Sequence, residues 1–148
     1  MKAKIVADTK EAMRSKDKLK VSTLRLLLSE IKYAEIDKGG ELDADEMIKA
    51  VLRELKKRRE AIPQYRRGGR EDLAAKEEAE AEILKAYLPE PMSEADLEAL
   101  IEEAVRATGA AGPQEIGKVM GFLMPKVKGR ADGAHVSAKV REKLGGMV

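Results

Sequence analysis

Apolar residues recur three and four positions apart along almost the whole chain, and no run alternates in the Val-, Ile- and aromatic-rich manner of a strand. A period near 3.6 places one apolar stripe on each helix and requires a second helix to cover it, so the predicted fold class is all-α. A first helix over about Lys2–Arg14 presents Ile5, Val6, Thr9 and Met13. A second, about Asp17–Lys38, presents Val21, Leu24, Leu28 and Ile31 and stops at Gly39 and Gly40. Asp43 or Asp45 caps a third, with Ile48, Val51, Leu52, Leu55 and Ile62 inward and Pro63 expected to kink or shorten it. A fourth, about Glu71–Leu88, turns Leu73, Ala81, Leu84 and Leu88 inward.

The Leu88-Pro89-Glu90-Pro91 passage divides the chain, because prolines end one helix and Ser93 with Asp96 restarts another in a capping-box pattern. The expected organisation is an N-terminal bundle of about four helices over residues 1–89 and a three-helix unit over 90–148. In the second unit Leu97, Leu100, Ile101, Ala104 and Val105 form one stripe, ended by Gly109. Pro113 opens the next helix, with Ile116, Val119, Met120, Leu123, Met124 and Val127 on its apolar face and the two methionines read as core filler, and Asp132 caps the last, with Val136, Val140 and Leu144.

Charge narrows the function. Of 148 residues 38% are charged, yet the net charge is only +2, so any surface that attracts a polyanion must be local. Residues 113–148 hold seven basic and three acidic residues, whereas residues 89–112 hold one and six. A second basic cluster joins Arg53, Lys56, Lys57, Arg58 and Arg59 to Arg66, Arg67 and Arg70. Four consecutive cations on a helix point around its circumference, which suits a solvated face, while the group near Arg70 can neutralise phosphates. There is no cysteine and only one histidine, His135, so neither a disulfide framework nor a transition-metal site is expected. No serine sits in a nucleophile elbow and no phosphate-cradling Walker pattern occurs, so no catalytic residue, cofactor or metal is predicted. Met1–Ser15 lacks the apolar centre of a secretory signal and no stretch approaches the about 18 apolar residues of a membrane span, from which a cytoplasmic, membrane-free protein is expected.

The sharpest segment is Gly117-Lys118-Val119-Met120-Gly121, followed by Leu123-Met124-Pro125-Lys126-Val127-Lys128-Gly129-Arg130-Ala131-Asp132-Gly133. Two glycines four apart on a helix permit close backbone approach, and a lysine-rich helix end entering a glycine turn offers amide and cationic donors to phosphate. Equally, the glycines serve helix packing, and Lys126, Lys128 and Arg130 solvate a turn and complement a helix C-terminus.

Together with Ser22-Thr23-Leu24-Arg25-Leu26-Leu27, and with Gly69-Arg70-Glu71-Asp72-Leu73 leading to Tyr87-Leu88-Pro89, this segment resembles the YqeY family. That family shares its domain with the C-terminal tail of GatB, a subunit of the glutamine-dependent aminoacyl-tRNA amidotransferase. The resemblance implies an all-helical fold of two subdomains and a grip on the tRNA body, without the kinase-like and amidase modules that carry out carbon-nitrogen ligation. A ligase label would be inherited by name only, with no intrinsic activity. On that resemblance the tRNA-facing role passes to Lys118, Lys126, Lys128 and Arg130, then to Arg70 and Lys139. The alternative is a protein-interaction module that docks on an amidotransferase or an aminoacyl-tRNA synthetase. With one Phe, three Tyr and no Trp, recognition by shape is expected over base stacking.

Overall fold

The computed structural model describes residues 1–147, among which the regular structure is entirely helical. The chain forms two compact units that divide between Leu88 and Pro89.

The first unit contains α1 (Lys2–Arg14), α2 (Lys18–Lys38), α3 (Ala44–Arg67) and α4 (Glu71–Lys85). Local chemistry fixes their ends. The Asp17 carboxylate accepts from the Lys20 amide at 3.1 Å, and Asp43, not Asp45, caps α3 in a reciprocal capping box with Glu46. Gly39, at φ 82°, supplies the left-handed residue that closes α2. Helix α3 runs through Pro63 to Arg67, beyond the expected break. Pro63 and Arg59, whose carbonyl loses its partner to the proline, both lie on the exposed side, where leaving that oxygen without a helical donor costs least. A short turn through Gly68 and Gly69 folds α4 back on α3 as a helical hairpin. Ile5, Leu24, Leu27, Ile31, Val51, Leu55 and Leu84 form the fully buried centre of this unit.

The buried stripe of α3 differs from the expected one. It comprises Met47, Ala50, Val51, Glu54, Leu55 and Arg58, with Ile48, Leu52 and Ile62 only half-buried beside it. Two charged residues enter the interior because they satisfy each other there. The Arg58 guanidinium donates to the Glu54 carboxylate one turn back, and its Nε lies 3.2 Å from Glu80 Oε2 on α4, with its N–H not aligned on that oxygen. Arg58 thus leaves the run of cations expected to form a solvated face.

The second unit, from Pro89 onward, contains α5 (Glu94–Thr108), a 3-10 turn (Pro113–Glu115), α6 (Ile116–Val127) and α7 (Gly133–Gly145). Ser93 caps α5 through the Asp96 amide at 3.1 Å, and Asp132 caps α7 through the Ala134 amide at 3.2 Å. Leu97, Val119, Leu123, Val127, Val136, Val140 and Leu144 close its core. Each helix gives one apolar stripe, so three helices suffice to cover each other.

Candidate nucleic-acid interface

The cations of the second unit separate into two sets. On α7, His135, Lys139 and Lys143 stand four residues apart and meet Glu94, Glu98 and Glu102, which are likewise four apart on α5. His135 Nε2 lies 2.6 Å from Glu94, Lys139 Nζ lies 2.8 Å from Glu94 and 2.9 Å from Glu98, and Lys143 Nζ lies 3.6 Å from Glu102. The hydrogen bonds that the Lys139 ammonium donates to Glu94 and then Glu98 push it up to about 12, while Lys139 and then His135 hold the Glu94 carboxyl below the usual range. Lys139 is thereby neutralised within the fold. Matched four-residue spacings of acids and bases are a signal the sequence carries, and it is decisive only once α5 and α7 are known to be neighbours.

The second set belongs to α6 and the turn after it. Lys118 is exposed and makes no hydrogen bond or ion pair with any described residue. Lys126 Nζ sits 4.9 Å from the centre of the Phe122 ring, a cation–π contact that orients the ammonium without neutralising it. Arg130 lies in a tight turn in which Gly129 adopts φ 75°. Its Nε donates to the Glu90 carbonyl at 3.0 Å and its carbonyl accepts from the Met92 amide at 2.9 Å, stapling the entry to α5 onto the turn. Lys126 and Arg130 line one open groove of about 350 Å³, whose α5 wall supplies Asp96 and Glu103. Lys128 follows α6 directly and is half-buried.

The two glycines lie on the exposed side of α6. A Cβ built on Gly117 or Gly121 meets nothing within 4 Å, so neither is required for packing inside this chain. Glycine in a helix interior costs about 0.5–1 kcal/mol relative to alanine, and nothing in the unit offsets that cost. At 100° per residue, Gly117, Gly121 and Pro125 fall on one strip of the helix surface, edged by Lys118 on one side and on the other by Met124, which was expected in the core but is exposed because the inward face is filled by Val119, Leu123 and Val127.

The amide donors expected at the following glycine turn are partly taken, since Asp132 already caps the first turn of α7. Arg70 lies in the first unit, ahead of α4, with its guanidinium donating to Asp72 at 3.1 and 3.2 Å, which raises its pKa further. The structure therefore sets Lys126 and Arg130 on one groove, leaves Lys128 half-buried at the end of α6 outside that groove's lining, sets Lys118 two turns up the same helix, and places Lys139 and Arg70 against carboxylates. Among the described residues no group of three His, Asp or Glu side chains is arranged to hold a metal, and no helix is long and apolar enough to cross a membrane.

Two helical units, the second with a glycine strip and a cationic helix end, define a small all-helical domain protein. The chain belongs to the YqeY family, described as Yqey-like protein, which it matches over residues 2–144. A relative from Pyrenophora tritici-repentis, named Altered inheritance of mitochondria protein 41, mitochondrial, is 32% identical over 145 residues, covering 96% of this chain and 80% of the relative. Relatives of the same name from Lachancea thermotolerans and Saccharomyces cerevisiae are 35% and 31% identical, covering 75% and 78% of this chain but 61% and 66% of their own lengths. The mitochondrial names of these relatives overturn the expectation of a cytoplasmic protein. An apolar signal centre is the mark of a secretory address alone, whereas organelle addresses are amphipathic and basic, so its absence gave no ground for a cytoplasmic placement.

Proposed function

We propose that this protein is a non-catalytic module that binds structured RNA, most directly tRNA, through the exposed strip of α6 and the turn that follows it. The supporting observation is the pairing of two features on one helix and the turn after it: glycines on which an added Cβ would meet nothing within 4 Å, and three cations, Lys118, Lys126 and Arg130, that meet no carboxylate among the described residues. A phosphodiester backbone can approach the helix closely at Gly117 and Gly121, while Lys118, Lys126, Lys128 and Arg130 supply charge to its phosphates. Arg70 and Lys139 contribute less, because each must first give up a carboxylate. Membership of a family whose domain is shared with the amidotransferase tail supports tRNA as the RNA, with the chemistry of amidation carried by another chain. The names of the relatives add mitochondrial tRNA to the RNAs worth testing.

The test is a fluorescence titration of the full chain with tRNA at low salt and at rising salt. The reading predicts binding whose logarithm falls linearly with the logarithm of salt concentration. A variant with Lys118, Lys126, Lys128 and Arg130 changed to Gln, shown by circular dichroism to remain folded, loses most of that binding, whereas Arg70→Gln and Lys139→Gln lose little. No binding at low salt, where electrostatic affinity is greatest, ends the proposal.

A further inference from the structure

The face of α2 that points away from the core of the first unit carries large apolar side chains that no described residue of that unit covers. Leu26 is 54% exposed, Tyr33 72% and Ile36 67%. With Ser22 and Ser29, both exposed, they fall at alternating steps of four and three, the spacing of a coiled-coil seam in which Leu26 and Tyr33 occupy the first position of the heptad and Ser22, Ser29 and Ile36 the fourth. Leu24, Leu27 and Ile31, the buried residues of α2, lie on the opposite side of the helix. One stripe of α2 builds the first unit and the other is left for a partner.

The charges beside the seam identify that partner. Arg25 and Lys32, seven residues apart, follow one edge, and Glu30 and Asp37, also seven apart, follow the other. In a parallel pair of helices, a residue on the first edge meets the residue five positions further along on the opposite edge of its neighbour. Arg25 would then meet Glu30 of a second copy, and Lys32 would meet Asp37. Both pairings are between opposite charges. In an antiparallel pair, like edges meet, setting Arg25 and Lys32 against their own kind and the two acids against theirs. Lys32 and Asp37 make no hydrogen bond or ion pair with the described residues, and Arg25 reaches only the Met13 sulfur at 3.9 Å. Glu30 is held by Arg53 at 3.0 Å and keeps 24% of its side chain exposed, so its cross-chain pair is the weaker of the two. A foreign helix would place no demand on the two edges of α2 to match each other at this offset.

We propose that α2 is a self-association surface, on which a second copy of this chain packs its own α2 in parallel across Leu26, Tyr33 and Ile36. Two heptads with serines at two of the five seam positions form a small contact, short of the about 1,200–2,000 Å² of a stable complex, so the dimer exchanges with monomer as concentration changes.

Sedimentation of the full chain over a concentration series tests this. The expected result is a shift from one chain to two as concentration rises. Tyr33→Ser, at a position too exposed to matter for folding, abolishes the shift. Lys32→Glu weakens association about tenfold, and adding Asp37→Lys to it restores association, because the pair is then exchanged. The wild-type chain has no cysteine, so Ser22→Cys and Ser29→Cys each place a single thiol on the seam. In parallel register each variant oxidises to a disulfide-linked dimer, since equivalent positions face each other across the axis. Wild-type protein that stays monomeric at the highest soluble concentration overturns the proposal. So does Lys32→Glu that strengthens association, which signals antiparallel packing, or a Tyr33→Ser variant that dimerises normally. None of these outcomes depends on RNA binding by α6, which the titration above reads separately.

Discussion

Replacing Arg58 with Met removes a charge from the interior while keeping the packing of its stem. Arg58 is 6% exposed and is the cation shared by Glu54, 4% exposed, and Glu80, 7% exposed. Glu54 keeps Lys57, whose ammonium lies 3.0 Å away near the surface, but Glu80 has no other cation. Removing one partner of a buried ionic group costs about 3–5 kcal/mol, because the remaining charge stays in a poorly solvating site. Retained Lys57 places Arg58→Met toward the lower end, at about 3 kcal/mol. Replacing all three residues with apolar ones of similar size should be neutral or stabilising, by about 1–4 kcal/mol, because the desolvation of three charges is then avoided. Urea unfolding at neutral pH reads both effects. Tyr33, Tyr65 and Tyr87 all lie before Pro89, so tyrosine fluorescence reports the first unit alone. The pH dependence is the sharper reading. In the variant, the orphaned carboxyl has a folded pKa above its unfolded value, so the folded state binds the extra proton and the penalty shrinks as pH falls toward the unfolded carboxylate range. Arg58→Met that changes stability by less than about 0.5 kcal/mol, or by the same amount at pH 5 and pH 7, would refute this account of the α3–α4 contact.

Tyr87 donates to Asp8 at 2.6 Å, and burial, followed by that hydrogen bond, pushes its phenol well above 10. Tyr87→Phe should cost about 1.5 kcal/mol, and above about pH 10 the wild type should lose stability relative to the variant by about 1.4 kcal/mol per pH unit, because only its unfolded state releases the proton. Gly117→Ala and Gly121→Ala should each stabilise the second unit by about 0.5–1 kcal/mol in thermal unfolding while weakening tRNA binding, the opposite of what packing glycines would do. Glu94→Gln should destabilise the second unit at neutral pH. Because the folded carboxyl titrates below its unfolded value, the difference from wild type should vanish as pH falls through the folded pKa, as read by circular dichroism.

The helical class and the caps at Ser93 and Asp132 were legible because helix periodicity and capping are local properties of the sequence. The inward face of α3 was not. Hydropathy assigns Glu54 and Arg58 to solvent, and only the return of Glu80 from α4 makes their burial affordable. The same limit governs the site. Lys126 and Arg130 are close in sequence and line one groove, whereas Lys139 looks equally available until Glu94 and Glu98 are seen across from it. The openness around Gly117 and Gly121 was likewise invisible, since a helical glycine reads the same whether it packs or is bare.

Ultraviolet crosslinking of the full chain to tRNA, followed by mapping of the modified peptides, asks directly where the RNA lies. The account predicts adducts concentrated in residues 117–131, reduced when Lys118, Lys126 and Arg130 are neutralised. Adducts confined to the first unit, or none under conditions that crosslink a known tRNA-binding protein, would contradict it.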